Sequence, residues 1–69
     1  MNLEQTFAET IKKRREELGL SQKELSAIAK ISIRQLYNIE HGQNFSINVL
    51  NCILIPLKLN IVITPDSIE

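Results

Sequence analysis

Arg34 and Asn38 stand four residues apart, one turn if that stretch is helical. A guanidinium forks onto two acceptors at once, as on the edge of guanine. A carboxamide offers a donor beside an acceptor, which matches adenine, and the neighbouring Ile33 presents an apolar surface suited to a thymine methyl. These are groups for recognising a surface, not for making or breaking bonds. Catalytic chemistry is poorly supplied. The chain has one Cys (Cys52) and one His (His41), too few ligands for a structural zinc site. No nucleophile with a base, carboxylate pair or Gly-rich phosphate loop is present. Neither enzyme activity nor a cofactor is expected. Cys52 reads as a small apolar residue, and His41 as an exposed last-turn residue favoured by a helix dipole.

The frame for these groups is small. Sixty-nine residues make one domain, 1–69. A chain of that size buries only about 60% of its unfolded surface, so it gains from oligomerisation when disulfides and metals are out of reach. Hydrophobic residues make up 43%, enough for a core. No apolar run approaches the ~20 residues of a membrane span. The opening MNLEQTFAET lacks the features of a signal peptide, so a soluble, cytoplasmic protein is expected. Eight basic and eight acidic residues cancel, but seven of the basic ones lie between Lys12 and Arg34 against three acids, a local +4. The asymmetry points to a polyanion partner for the first half. The competing reading is a solvated helix face, and for Lys12 and Lys13 that reading is preferred.

Four helices are expected. The first covers 3–18, with Phe7, Ile11 and Leu18 on one stripe and Gly19 ending it. Ser21-Gln-Lys-Glu24 has the form of a capping box and opens a second helix over 22–29, with Leu25, Ile28 and Ala29 inward. Lys30-Ile31 is a tight turn. Ser32 caps a third helix over 33–41, with Leu36 and Ile39 inward, and Gly42 stops it. Ser46 caps a fourth from 47, whose apolar stripe is Ile47, Leu50, Leu54 and Leu57. Val49, Ile53 and Pro56 fall outside that stripe, so the helix is apolar nearly all round and needs cover on a second side. Pro56 is expected to end or kink it near Ile55. Residues 59–64 alternate like a strand with no partner in the chain. The economical partner is the same strand of a second copy about a two-fold axis. The expected dimer interface is Val49, Ile53, Pro56, Leu59, Ile61, Val62 and Ile63.

Two short helices joined by a tight turn are a helix-turn-helix signature. The segment from Leu20 to Gly42, LSQKELSAIAKISIRQLYNIEHG, resembles the Cro/lambda-repressor (XRE-type) family. The resemblance rests on the Leu18-Gly-Leu20 lead-in, the Ser21-Gln22 opening, Leu25, Ile28-Ala29, the Ser32 cap, Leu36 and the Ile39-Glu40-x-Gly42 ending. Two positions depart from the family: Lys30 replaces its usual turn Gly, and Ser26 its usual Ala where the motif helices touch. The Ser26 hydroxyl can bond the Gln22 carbonyl one turn back. The resemblance implies a mostly α, four- to five-helix lambda-repressor-like domain. Its third helix would enter the major groove of double-stranded operator DNA, with Ser32, Ile33, Arg34, Tyr37 and Asn38 at base edges. The amides at the start of the second helix and the Gln22 side chain would form an anion site. Lys23, Arg14, Gln43 and Asn44 are further phosphate candidates. Two of these assignments keep a second reading: Ile33 packed against a neighbouring helix, and Tyr37 as a half-buried wall residue. The resemblance further implies that Arg15 pairs with Glu40 as a partly buried structural bridge.

The C-terminal order, helix, Leu-Lys-Leu turn, then strand, is similar to the HipB-type antitoxins. These are small bacterial operon repressors, nucleoid-associated, whose C-terminal strands pair across a homodimer and which bind a HipA-type kinase toxin. The alternative is a stand-alone repressor of phage or plasmid type with no toxin partner. A third reading, an interaction module that has lost DNA binding, is disfavoured by Arg34, Gln22 and Asn38.

Overall fold

The computed structural model describes residues 2–44 and 46–62. They form α1 (Leu3–Glu17), α2 (Gln22–Ala29), α3 (Ile33–Glu40) and α4 (Ile47–Leu57). Each helix starts on a polar cap. Asn2 accepts from the Gln5 amide at 2.7 Å, Ser21 from Glu24, Ser32 from Gln35 and Ser46 from Val49. The Ser21–Glu24 box is reciprocal, and so is one the sequence reading missed, Ser32 with Gln35.

The four helices also end alike. In each, two amides past the end turn back onto the last carbonyls while one residue takes a left-handed conformation. Gly19 (φ 72°) and Gly42 (φ 70°) do this without steric cost. Lys30 (φ 61°) and Lys58 (φ 57°) do it with a Cβ, at ~1–2 kcal/mol each. At the α2–α3 turn, Lys30 and Ile31 donate to the Ala27 and Ser26 carbonyls. At the end of α4, Lys58 and Leu59 donate to Ile55 and Leu54.

Ile11, Leu25, Ala29, Leu36, Ile39, Leu50, Ile53 and Leu57 make one core, flanked by half-buried Phe7, Leu20, Ile31, Val49, Leu54 and Leu59. α2 packs on α4, and α1 on α3, so the turn between α2 and α3 is held from both sides.

Several expectations are corrected here. Ile53, assigned to a dimer interface, is fully buried in the core of its own chain, whereas Ile47 is 72% exposed. The fold seats the 50/53/57 seam rather than 47/50/54/57, which puts the exposed Asn48 and Asn51 on the opposite face. Ile28 faces out at 55% exposure, and Leu18 is exposed as well. α4 does not stop at Ile55 but runs through Pro56 to Leu57. Pro56 sits in the last turn, where the one bond it removes, to the Cys52 carbonyl, costs the helix least. Residues 59–62 carry no regular structure. A strand exists through the ladder it makes, and no segment among the described residues pairs with this one. Ile63 and Thr64 lie outside the described residues.

Leu59, Ile61 and Val62 instead border an apolar groove of about 680 Å³ between α1 and α4, together with Leu3, Phe7 and Ile47. Among the described residues no helix is long and apolar enough to cross a membrane.

Candidate nucleic-acid interface

A buried polar knot sets how α3 stands on the molecule. Arg15 of α1 donates from Nε to Glu40 Oε2 at 2.6 Å and from Nη2 to Glu40 Oε1 at 3.2 Å. Its Nη1 donates to the Leu20 carbonyl at 2.7 Å, tying down the loop before α2. Gln22, the first residue of α2, donates from Nε2 to Glu40 Oε1 at 3.0 Å. One carboxylate at the end of α3 thus fastens α1, α2 and their connection. The Glu40 carboxylate pushes the Arg15 pKa further up, and this outweighs the opposing effect of burial. A two-pronged guanidinium–carboxylate fork that is also bonded to backbone fixes orientation more sharply than a point charge could. No buried side-chain polar atom among the described residues is left without a partner.

With its inner face locked, α3 turns its other face outward. Ile33 is 48% exposed and Tyr37 45%; Arg34 is exposed and Asn38 half-buried. Ile33, Arg34 and Tyr37 line a shallow concavity on that surface. Ser32 spends an oxygen lone pair on the Gln35 amide, which leaves its hydroxyl hydrogen for another acceptor. The five side chains expected at base edges therefore share the first two turns of one helix, and Ile33 does not join the core.

The expected phosphate group is split. Lys23 is exposed on α2, and Gln43 and Asn44 are exposed just after α3. Gln22 is half-buried and gives one Nε2 hydrogen to Glu40, which leaves the second hydrogen of the amide. Arg14 is placed elsewhere. Its Nε donates to the Leu57 carbonyl at 3.0 Å, closing the end of α4, and its Nη1 lies 3.4 Å from Glu17. Ser26 differs in detail, since its hydroxyl donates to the Lys23 carbonyl at 2.9 Å rather than to that of Gln22. Its side chain is buried where α2 meets its neighbours, and only a small residue fits there.

Two contacts went unanticipated. Gln22–Glu40 joins residues that only the fold brings together, and no local signal reports it. Tyr37 and His41 stack, with ring centroids 3.9 Å apart; their four-residue spacing on one helix is a signal that could have revealed it.

Four helices in this order, with α2 and α3 joined by a left-handed turn and α3 exposing a row of base-matching side chains, define a helix-turn-helix domain. The chain belongs to that family: a family model described as a helix-turn-helix domain matches residues 8–62, and the kind is that of the XRE/Cro-type proteins. This is the class of sequence-specific DNA-binding regulators. No curated protein matches the chain.

Proposed function

We propose that the protein is a dimeric repressor that reads operator DNA in the major groove through Ser32, Ile33, Arg34, Tyr37 and Asn38. It acts by occupying its site and performs no chemistry of its own. The observation that carries this reading is the outward row on α3, backed by an inner face fixed through Arg15, Glu40 and Gln22. An α-helix fits the major groove, and its N-terminal residues come nearest the base edges. Lys23, Gln43, Asn44 and the second amide hydrogen of Gln22 supply backbone contacts on either side.

The dimer is supported by the surface that α4 and the following residues leave open. Ile55 and Val62 are each 78% exposed, and Val62 lines the α1–α4 groove together with Ile61. A second copy would cover this apolar surface and give residues 59–64 a strand to pair with. Selection from a pool of random duplexes tests the arrangement. The expected site has two-fold symmetry, with half-sites ~34–36 Å apart. Deleting residues 59–69 should weaken self-association and DNA binding together. An asymmetric selected site, or a monomer in sedimentation at micromolar concentration, would overturn the dimer.

The finer reading is an autorepressing antitoxin in the bacterial cytoplasm that also binds a HipA-type kinase toxin. It rests on the resemblance of the C-terminal order to HipB-type proteins. Co-purification of the tagged chain expressed from its own operon decides it. A kinase-like partner supports the antitoxin, and its absence leaves a stand-alone repressor.

A further inference from the structure

Several observations meet at the C-terminal end of α3. The His41 imidazole stacks on the Tyr37 ring, centroids 3.9 Å apart and planes inclined by 23°. His41 Nδ1 lies 2.8 Å from the Tyr37 carbonyl oxygen. Both residues are exposed. A carbonyl oxygen can only accept, so Nδ1 carries the hydrogen and donates it. In the neutral ring this leaves Nε2 with a lone pair and no hydrogen, and such a nitrogen cannot donate to a phosphate. A second proton can arrive only at Nε2. It turns the exposed edge of the ring into a charged donor while the bond to Tyr37 and the stack stay in place. A cation at the C-terminal end of a helix is also favoured by the helix dipole.

The position suits a phosphate. His41 lies eight residues beyond Ile33, about 12 Å along a helix rising about 1.5 Å per residue. The major groove is about 12 Å wide. A helix with Ile33 and Arg34 at base edges therefore carries residue 41 out towards the strand backbone. Few charges compete there. The Glu40 carboxylate is turned inward onto Arg15 and Gln22. On α1 the backbone carbon of Glu4 lies 3.9 Å from where a Cβ on Gly42 would sit. On α2 the charged residues near Gln22 are Lys23 and Glu24, and Glu24 is engaged by Ser21. α4 carries no charged residue.

We propose that His41 is a proton-dependent phosphate contact: on protonation its Nε2–H donates to a DNA phosphate, while Nδ1–H and the stacked Tyr37 hold the ring in place. Binding then strengthens as the imidazole takes its second proton. The inference rests on α3 being the DNA-reading helix, and the experiment separates the two. Affinity of the full chain for its selected duplex and for a scrambled one is measured against salt at pH 8 and at pH 5.5. His41→Phe, which keeps a ring for the stack, and His41→Gln, which donates without charge, are measured alongside, each checked for folding by its melt.

The parent's slope of log affinity against log salt should steepen at the lower pH by about 0.9 for each protomer on both duplexes. Affinity should rise severalfold, and both variants should lose the steepening while still binding at pH 8. A parent slope that ignores pH, or variants that steepen like the parent, would overturn the proposal with DNA binding intact. Absence of DNA binding at both pH values would remove the α3 reading and this inference with it.

Discussion

Residues 21–42 and residues 46–62 solve the same problem, how to finish short helices in a small chain, in different ways. In the first region the solution is internal. Two reciprocal capping boxes open α2 and α3, and the buried Arg15–Glu40–Gln22 knot holds both to α1. In the second region the polar chemistry is thin. α4 has a simple serine cap at 3.4 Å, and an arginine borrowed from α1 closes its far end. On the faces the chain does not cover, Ile47 and Ile55 stand in solvent beside Asn48, Asn51 and Cys52. The difference teaches that the first region is built to hold one rigid surface outward. The second leaves Ile47, Ile55 and Val62 uncovered within the chain.

The sharpest way to break the first region is at its knot. Glu40→Ala leaves the buried Arg15 guanidinium without its bonded partner, with only the exposed Glu16 as a nearby counter-charge, and should cost ~3–5 kcal/mol in a denaturant titration. A loss well under 1 kcal/mol would mean the knot does not anchor α3. The two isoleucines of α4 sharpen the contrast next. Ile53→Ala opens a cavity in the core and should cost ~2–5 kcal/mol at any protein concentration. Ile55→Ala should leave the fold of the single chain untouched and lower only the concentration-dependent part of the melting temperature. If the two variants behaved alike, the division of α4 into inner and outer faces would be wrong.

Smaller effects test the joints. Lys30 sits at φ 61° and ψ 42°. Lys30→Gly relieves the Cβ strain but frees the unfolded chain, so it should stabilise by no more than ~1 kcal/mol. A melt clearly below that of the parent would show that the turn does not need the left-handed residue. The smallest effect concerns the first capping box. The Ser21 amide, and then its hydroxyl, hold the Glu24 carboxyl below its ordinary pKa. A lowered folded-state pKa means stability that is full above the unfolded-state value and lost as pH falls through the lowered one. Glu24→Gln keeps a box without a titrating group, so its melting temperature should fall less than the parent's on acidification. Parallel curves would show that the box carries no charge-dependent part.

The same contrast explains what could be read from the residues alone. The helix starts at Ser21 and Ser32, the stops at Gly19 and Gly42, and the order of α1 to α4 follow from local signals, each within one turn of the residue that sends it. So do the candidate readers on α3, because Ile33, Arg34, Tyr37 and Asn38 are placed by helical spacing once the turn is located. Lys30 could be placed in the left-handed turn only through the family resemblance, since a lysine carries no such signal itself. α4 was misread because its two polar residues were left out of the pattern. Asn48 and Asn51 mark its outer face, and at helical spacing the side opposite them carries Leu50, Ile53 and Leu57, the seam the fold buries. Residues 59–62 illustrate a second limit, because alternation reports strand-forming residues but not the partner a strand requires. Arg14 shows a third. A cation near the start of the motif reads as a phosphate contact, and no local signal reports that its Nε donates to the Leu57 carbonyl, 43 residues on.

The central claim is that α3 reads bases and that its neighbours only hold the backbone. Affinities of the parent, Arg34→Ala and Lys23→Ala for the selected duplex and for a scrambled one, each across a salt series, test it most directly. Arg34→Ala should lose ~1–3 kcal/mol on the selected duplex, at one base pair per half-site, and little on the scrambled one. Lys23→Ala should weaken both duplexes alike and flatten the salt dependence by about one ion per protomer. Equal losses on both duplexes for the two variants would contradict the assignment of Arg34 to the groove, and with it the account of α3 as the reading helix.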